Sequence, residues 1–210
     1  MITAIVLAAG LSSRMGQTKP LLPWGQQTII EHILSVLRDC AIEEMLVVTG
    51  HEREAVERRL AEWLVRAVFN PHYATGEMLA SIRVGLLSAA VEAEAALIVL
   101  GDQPALETSV IDKIVAAYRN GQRHIVAPSY QMRRGHPLLI SRKYWRDILA
   151  LGEGQTLRDF LRRNGEAIHY VEVTTPSVLQ DMDTPDDYRR ELEGFLSAHP
   201  TPSSREAQEV

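Results

Sequence analysis

The chain has 210 residues, with 22 Lys or Arg against 27 Asp or Glu and a formal charge of −5. That length fits one domain with a full-sized core, and 46% hydrophobic with 23% charged residues excludes a disordered chain. The acidic balance leaves no basic field to draw in a phosphate backbone, which excludes nucleic acid as the main partner.

The only lysines are Lys19, Lys113 and Lys143, so the position of each carries information. Cys40 is the single cysteine, so neither an intrachain disulfide nor a CxxC site can form. The start, Met1 to Leu7, has no basic leader and its apolar run stops at Gly10. It reads as neither a signal peptide nor a membrane span, and the expected compartment is the cytoplasm.

In chain order, apolar runs predict buried strands at Ile2–Ala8, Met45–Thr49, Val65–Phe69, Ala95–Leu100, His124–Ala127, Leu138–Ile140 and Ala167–Val173. Helical stripes run through Ile29, Ile30, Ile33, Leu34 and Leu37, and through Val110, Ile111, Ile114, Val115 and Tyr118. Thr184-Pro185-Asp186-Asp187 starts a last helix, with Thr184 as cap and acids toward the positive end of the helix dipole. The β-α-β-α alternation predicts a layered α/β fold with a mainly parallel sheet and a ligand beyond the strands' carboxyl ends. Residues 1–197 read as a single domain, and the Pro/Ser-rich end, 198–210, reads as a frayed tail.

Ala8-Ala9-Gly10-Leu11-Ser12-Ser13-Arg14-Met15-Gly16-Gln17-Thr18-Lys19-Pro20 follows the first strand. Its small residues can turn backbone N–H groups onto a phosphate, Arg14 can fork onto phosphate oxygens, and Lys19 adds a point charge. A plain turn with solvated basic residues fits the same composition. Gly10 and Gly16 are too far apart for a P-loop, and Gly10-Leu11-Ser12 breaks a dinucleotide fingerprint.

Asp102, in Gly101-Asp102-Gln103-Pro104, follows the strand Ala95–Leu100. It is placed to hold Mg²⁺ against triphosphate oxygens, or to bond its own turn before Pro104. Asp183, in Asp181-Met182-Asp183-Thr184-Pro185, is either a second metal acid or a helix-dipole partner. Asn70 and Gly76 belong to a loop after the third strand and Ser81 to the next helix, where small groups admit a base or ribose. Gly135-His136-Pro137, behind Arg133 and Arg134, makes a turn that presents His136. The three tryptophans and six methionines read as packing, and Cys40 as an inert buried thiol.

Leu7 to Gly16, with Lys19 and Leu21-Leu22-Pro23-Trp24-Gly25, resembles the MobA-like nucleotidyltransferases, and more narrowly their molybdenum cofactor cytidylyltransferase branch. Guanylyl-transferring relatives usually carry Ala-Gly-Gly where this chain has Ala8-Ala9-Gly10. The resemblance implies a three-layer Rossmann-like nucleotidyltransferase fold. It places Leu7, Ala8, Ala9 and Gly10 at the nucleotide, Arg14 and Lys19 on its phosphates, and Asn70, Gly76 and Ser81 along the nucleoside. Asp102 and Asp183 would hold Mg²⁺, with Asp181 either a further ligand or solvated. Arg14, Lys19 and Asp102 would be catalytic, and His136 would face the acceptor.

The implied reaction joins CTP to molybdenum-molybdopterin, giving the cytosine dinucleotide cofactor and pyrophosphate. The alternatives are GTP or another NTP with a molybdopterin or sugar-phosphate acceptor, and a carrier that hands the cofactor to a molybdenum hydroxylase.

Overall fold

Strand β1 (Ile2–Ala8) is apolar on both faces because both are covered: its even residues meet one hydrophobic core and Ile5 the other. A computed structural model describes residues 1–75, 77–121 and 124–200. After the first loop, β2 (Pro23–Trp24) and β3 (Gln27–Thr28) form a small antiparallel hairpin around Gly25, whose φ of +62° suits glycine. Helix α1 (Ile29–Arg38) follows, held at its start by a capping box between Thr28 and Glu31. Its five predicted apolar residues are all fully buried, each burial a gross gain of roughly 1.5–3 kcal/mol.

The chain continues through β4 (Glu44–Thr49), α2 (Arg53–Leu60), β5 (Arg66–Phe69), α3 (Met78–Ser88), β6 (Ala95–Leu100) and α4 (Thr108–Arg119). Then come β7 (Ile125–Tyr130), β8 (Arg133–Arg134), β9 (Leu138–Ser141), α5 (Trp145–Leu149), α6 (Leu157–Arg163), β10 (Ile168–Glu172) and α7 (Pro185–Ala198). The sheet order is β10-β7-β9-β6-β1-β4-β5, with β8 paired to β7. Pairings β1/β4, β1/β6, β4/β5 and β7/β10 are parallel, while β9 runs antiparallel between β6 and β7.

Residues of α1, α2, α4 and α7 pack into the core on one face, and residues of α3, α5 and α6 into the core on the other. This is the expected three-layer α/β arrangement. Because β1, β4, β5 and β6 are parallel, Ala8, Thr49, Phe69 and Leu100 end on the same edge of the sheet, and the loops that follow them share one rim.

Cys40, just after α1, is buried, and its Sγ lies 3.2 Å from the Val36 carbonyl. Burial, with Asp112 and Asp39 nearby, pushes the thiol up to about 12. Native protein at pH 8 should therefore leave a disulfide-type thiol reagent unreacted, with one equivalent consumed on unfolding. Rapid reaction of the folded protein would contradict the placement.

Thr184 caps α7. Its Oγ1 accepts from the Asp187 N–H at 3.2 Å, while the Asp187 carboxylate accepts from Thr184 N–H at 3.0 Å and from its hydroxyl at 2.7 Å. The hydroxyl, with help from Arg190, pulls the Asp187 carboxyl down to about 2. Thr184→Ala should lower Tm by about 2–4 °C at neutral pH. The Asp187 contribution is present above the ordinary aspartate range and fades as pH falls through about 2, so wild type and variant should converge in strong acid. Thermal melts at pH 7 and pH 2 check this.

Candidate active site

Leu7 and Leu100 are register partners at the ends of β1 and β6, so the loops leaving them start side by side. The Gly101 N–H donates to the Leu7 carbonyl at 3.0 Å. A Cβ at Gly101 would stand 2.6 Å from that same oxygen, so a side chain there would wedge the two loops apart. Gly50, at the end of β4, is equally tight, since its Cβ would lie 2.6 Å from the Ala9 carbonyl oxygen. The backbone of Ala8-Ala9-Gly10 is thus clamped from two sides before it bends away.

Ser12 and Gly16 take left-handed conformations (φ +50° and +67°), and the Met15 N–H closes back on the Ser12 carbonyl at 2.9 Å. The Ser12 Oγ then accepts from the Lys19 N–H at 3.1 Å, which ties the two ends of the loop together. Thr18 hydrogen-bonds Glu52 and anchors the loop to the start of α2. These contacts turn Lys19 inward; its side chain is 10% exposed.

There Lys19 Nζ donates to Asp102 Oδ2 at 2.9 Å and to Asp183 Oδ1 at 3.0 Å, and Arg14 donates to Asp183 Oδ2 at 2.9 Å. Burial alone would pull the Lys19 ammonium down, but the charges and hydrogen bonds of Asp102 and Asp183 outweigh it and hold it above its ordinary value. The hydrogen bond and charge of Lys19 in turn hold the Asp183 carboxyl below the usual range. Residues 83 and 164 positions from Lys19 thus meet on one nitrogen.

A cavity of about 230 Å³ opens beside this cluster, lined by Leu7, Ala8, Ala9, Gly10, Lys19, Ser81 and Asp102 among others. Ser12, Tyr73, Glu77 and Met78 also line it; Ser12 lay inside the quoted loop and Met78 in the segment before Ser81, but neither carried a signal of its own. Asn70 is wholly buried behind the wall, where Nδ2 donates to Ser81 Oγ at 3.0 Å and Oδ1 accepts from the His72 N–H at 2.9 Å. It positions Ser81 and the loop. Gly76 lies outside the described residues. Arg14 stands at the rim with its side chain 73% exposed.

His136 lines a second cavity of about 390 Å³, which shares Glu77 and Met78 with the first. Its N–H donates to the Val178 carbonyl at 2.9 Å, and a Cβ on Gly135 would lie 2.2 Å from that oxygen, which explains the glycine. Burial lowers the imidazole below its ordinary value although the charges of Asp181 and Asp102 pull the other way. Asp181 accepts from Gln103 Nε2 at 2.6 Å, a partner that its sequence position did not reveal.

Two carboxylates converging on one cationic centre suit a divalent ion. Among the described residues no group of three or more His, Cys, Asp or Glu could hold a metal. Asp102 and Asp183 fit Mg²⁺ because that ion is commonly held by one or two carboxylates, with substrate phosphates and water supplying the other oxygens.

The model of the MobA-like NTP transferase domain matches residues 4–168. The chain belongs to this family. It is similar to the molybdenum cofactor cytidylyltransferase of Escherichia coli (strain K12), at 33% identity over 89% of this chain and 93% of that protein. It is also similar to the nicotine blue oxidoreductase of Paenarthrobacter nicotinovorans, at 27% identity over 91% of this chain and 96% of that one.

Among solved structures, Rv0371c from Mycobacterium tuberculosis H37Rv in complex with manganese aligns with a TM-score of 0.73 and 28% identity, covering 91% of this chain and 98% of that one. As a MobA-like NTP transferase the chain is a nucleotidyltransferase with the expected Rossmann-like fold. The family match spans the first loop, Asp102 and His136, and stops before Asp183.

Proposed function

We propose that this MobA-like transferase moves CMP from CTP to molybdenum-molybdopterin and releases pyrophosphate, in the cytoplasm and with Mg²⁺. The observation that carries it is the meeting of Lys19 with Asp102 and Asp183 at the mouth of a cavity built from Leu7 to Gly10. In this reading they serve as a phosphate cation and a metal-holding pair beside that cavity. Ala8-Ala9-Gly10 and the likeness to a cytidylyltransferase favour CTP over GTP. Among the described residues no helix is long and apolar enough to cross a membrane.

In this reading a terminal phosphate oxygen of the acceptor attacks the α-phosphorus of CTP in line, and the bond to the β-phosphate oxygen breaks. Lys19 and Arg14 offset the negative charge that gathers on the departing pyrophosphate. Asp102 and Asp183 would hold Mg²⁺, which would draw charge from the triphosphate oxygens. Asn70 fixes Ser81 against the nucleoside. A phosphate nucleophile is already ionised near pH 7, so His136 serves as a hydrogen-bond donor to the acceptor rather than as a general base.

Pyrophosphate release measured with each NTP, Mg²⁺ and molybdenum-molybdopterin tests the proposal. CTP should exceed GTP by at least about tenfold, a difference of about 1.4 kcal/mol at the base. Faster release with GTP would move the chain to guanylyl transfer, and no release with any NTP would overturn transfer to this acceptor.

A further inference from the structure

Glu52 is the last residue before α2, and the chain there is bent against its preference. Thr28, Glu77, Glu107, Thr156 and Thr184, which precede α1, α3, α4, α6 and α7, are extended, as is usual for a helix cap. Tyr144, before α5, is right-handed. Glu52 alone of these is left-handed, with φ +48° and ψ 37°. A Cβ makes that conformation costly, and such strain persists only where surrounding contacts hold it. Among the described residues the other non-glycines of positive φ are Ser12, in the first loop, and Gln131 and Met132. The last two form the tip between β7 and β8, where a two-residue hairpin turn asks for it.

The contacts around Glu52 lead to the first loop. Its carboxylate accepts from the Thr18 hydroxyl, and the preceding His51 N–H donates to the Ala9 carbonyl at 3.4 Å. The turn from β4 into α2 therefore grips the loop near its start and near its end. Thr18 is buried, at 5% exposure, and immediately precedes Lys19. Both partners stand at a cap position, Thr18 before the short helical turn Lys19–Leu21 and Glu52 before α2. Neither side chain bonds its own turn; they bond each other across 34 positions. Local preference overridden at both ends of one contact is the pattern expected where a site needs its geometry fixed.

We propose that Glu52 is a positioning residue of the transferase site, acting through Thr18 on Lys19. The inference rests on the reading of Lys19 as the phosphate cation. Neither Glu52 nor Thr18 lines the two cavities beside the site, so neither meets a ligand there. Glu52 fixes the Thr18 hydroxyl, the Thr18 carbonyl accepts from the Leu21 N–H at 2.9 Å, and the Lys19 N–H is held by Ser12 at 3.1 Å. The lysine stem thus leaves a backbone that is fixed on both sides, aimed at Asp102 and Asp183. Without the brace the loop has to be ordered at the moment a phosphate binds, which lowers affinity.

The test uses the full chain. Thr18→Val and Glu52→Ala remove the bond, while Thr18→Ser keeps a hydroxyl and Glu52→Gln keeps an acceptor oxygen. Glu54→Ala, exposed on the first turn of α2, is the control. Amide hydrogen exchange is followed by NMR in nucleotide-free protein. The Lys19, Leu21 and Leu22 N–H groups are hydrogen-bonded within the loop. They should exchange at least about tenfold faster in Thr18→Val and Glu52→Ala, with β1 and β6 unchanged and the other three variants as wild type. Affinity for inorganic tripolyphosphate with Mg²⁺ is then measured by calorimetry. Thr18→Val and Glu52→Ala should each weaken it at least about fivefold, yet by less than about twofold when Lys19→Met is already present.

Unchanged exchange in Thr18→Val and Glu52→Ala would overturn the brace and leave the transferase reading standing. Equal losses of affinity with and without Lys19 would overturn positioning through that lysine, because a merely structural role weakens both backgrounds alike. A wild type that ignores Mg²⁺–tripolyphosphate would overturn Lys19 as the phosphate cation, and with it the inference built on that reading.

Discussion

Asp102→Ala should lose transfer by roughly a thousandfold or more while the protein still melts within a few degrees of wild type. The two readouts separate because Asp102 has different weights in them. For catalysis it is, in the proposed reading, one of the two acids that would hold the ion beside the triphosphate. For folding it is one of two partners of Lys19, and its side chain is 32% exposed. After its removal the ammonium keeps Asp183 at 3.0 Å, so no buried charge is left alone. Steady-state pyrophosphate release beside a thermal melt checks both halves. Substantial Mg²⁺-dependent turnover in the variant would remove Asp102 from the site.

Lys19→Met should also cost about a hundredfold to a thousandfold in transfer, but it should tighten Mn²⁺ binding by nucleotide-free protein at least about tenfold, or about 1.4 kcal/mol. Lys19 Nζ stands at 2.9 and 3.0 Å from the two carboxylates that an ion would bridge, so the lysine and the ion compete for the same oxygens. Without the lysine, two like charges face each other and a divalent ion relieves them. Titration of Mn²⁺ followed by electron paramagnetic resonance gives the affinity without relying on activity. An unchanged Mn²⁺ affinity would mean that the two acids do not act on one ion.

The same substitution should flatten the stability–pH curve at both ends. Asp183 is held low by Lys19, so its contribution is present above the ordinary aspartate range and is lost as pH falls through the lowered value. Lys19 is held high, so its contribution is complete below the ordinary lysine value and fades only as pH rises past the raised one. Lys19→Met removes both.

Strands β1 and β6 are found with the bounds that their residues predicted, since a run buried on both faces needs no partner to declare itself. Leu138–Ile140 was also read as a strand and is found one residue longer, as Leu138–Ser141, but an apolar run carries no direction, and only its pairing with β6 and β7 shows it to be antiparallel. The hairpin of β2 and β3 was missed because two-residue strands have no period to detect. At the site, Lys19, Asp102 and Asp183 were each legible as types suited to phosphate and metal. Their convergence on one nitrogen depends on β1, β6 and the start of α7 meeting in space, which no spacing encodes. Asn70, expected along the nucleoside, is wholly buried and braces Ser81 from behind, a placement that only burial reveals.

Asp183 lies immediately before α7, and α7 is docked by Tyr188, whose hydroxyl donates to the Pro23 carbonyl at 2.7 Å, and by Phe195, whose ring lies 5.1 Å from that of Trp24. Both anchors are in the hairpin that follows the first loop, so the ends of the described fold are stitched together across the site. On the ribosome, β1, the first loop and Asp102 emerge long before the segment that supplies the second acid. In the proposed reading the pair of acids therefore stays incomplete until α7 has left the exit tunnel and packed on Trp24, and a nascent chain should be unable to spend nucleotide before its last helix is in place.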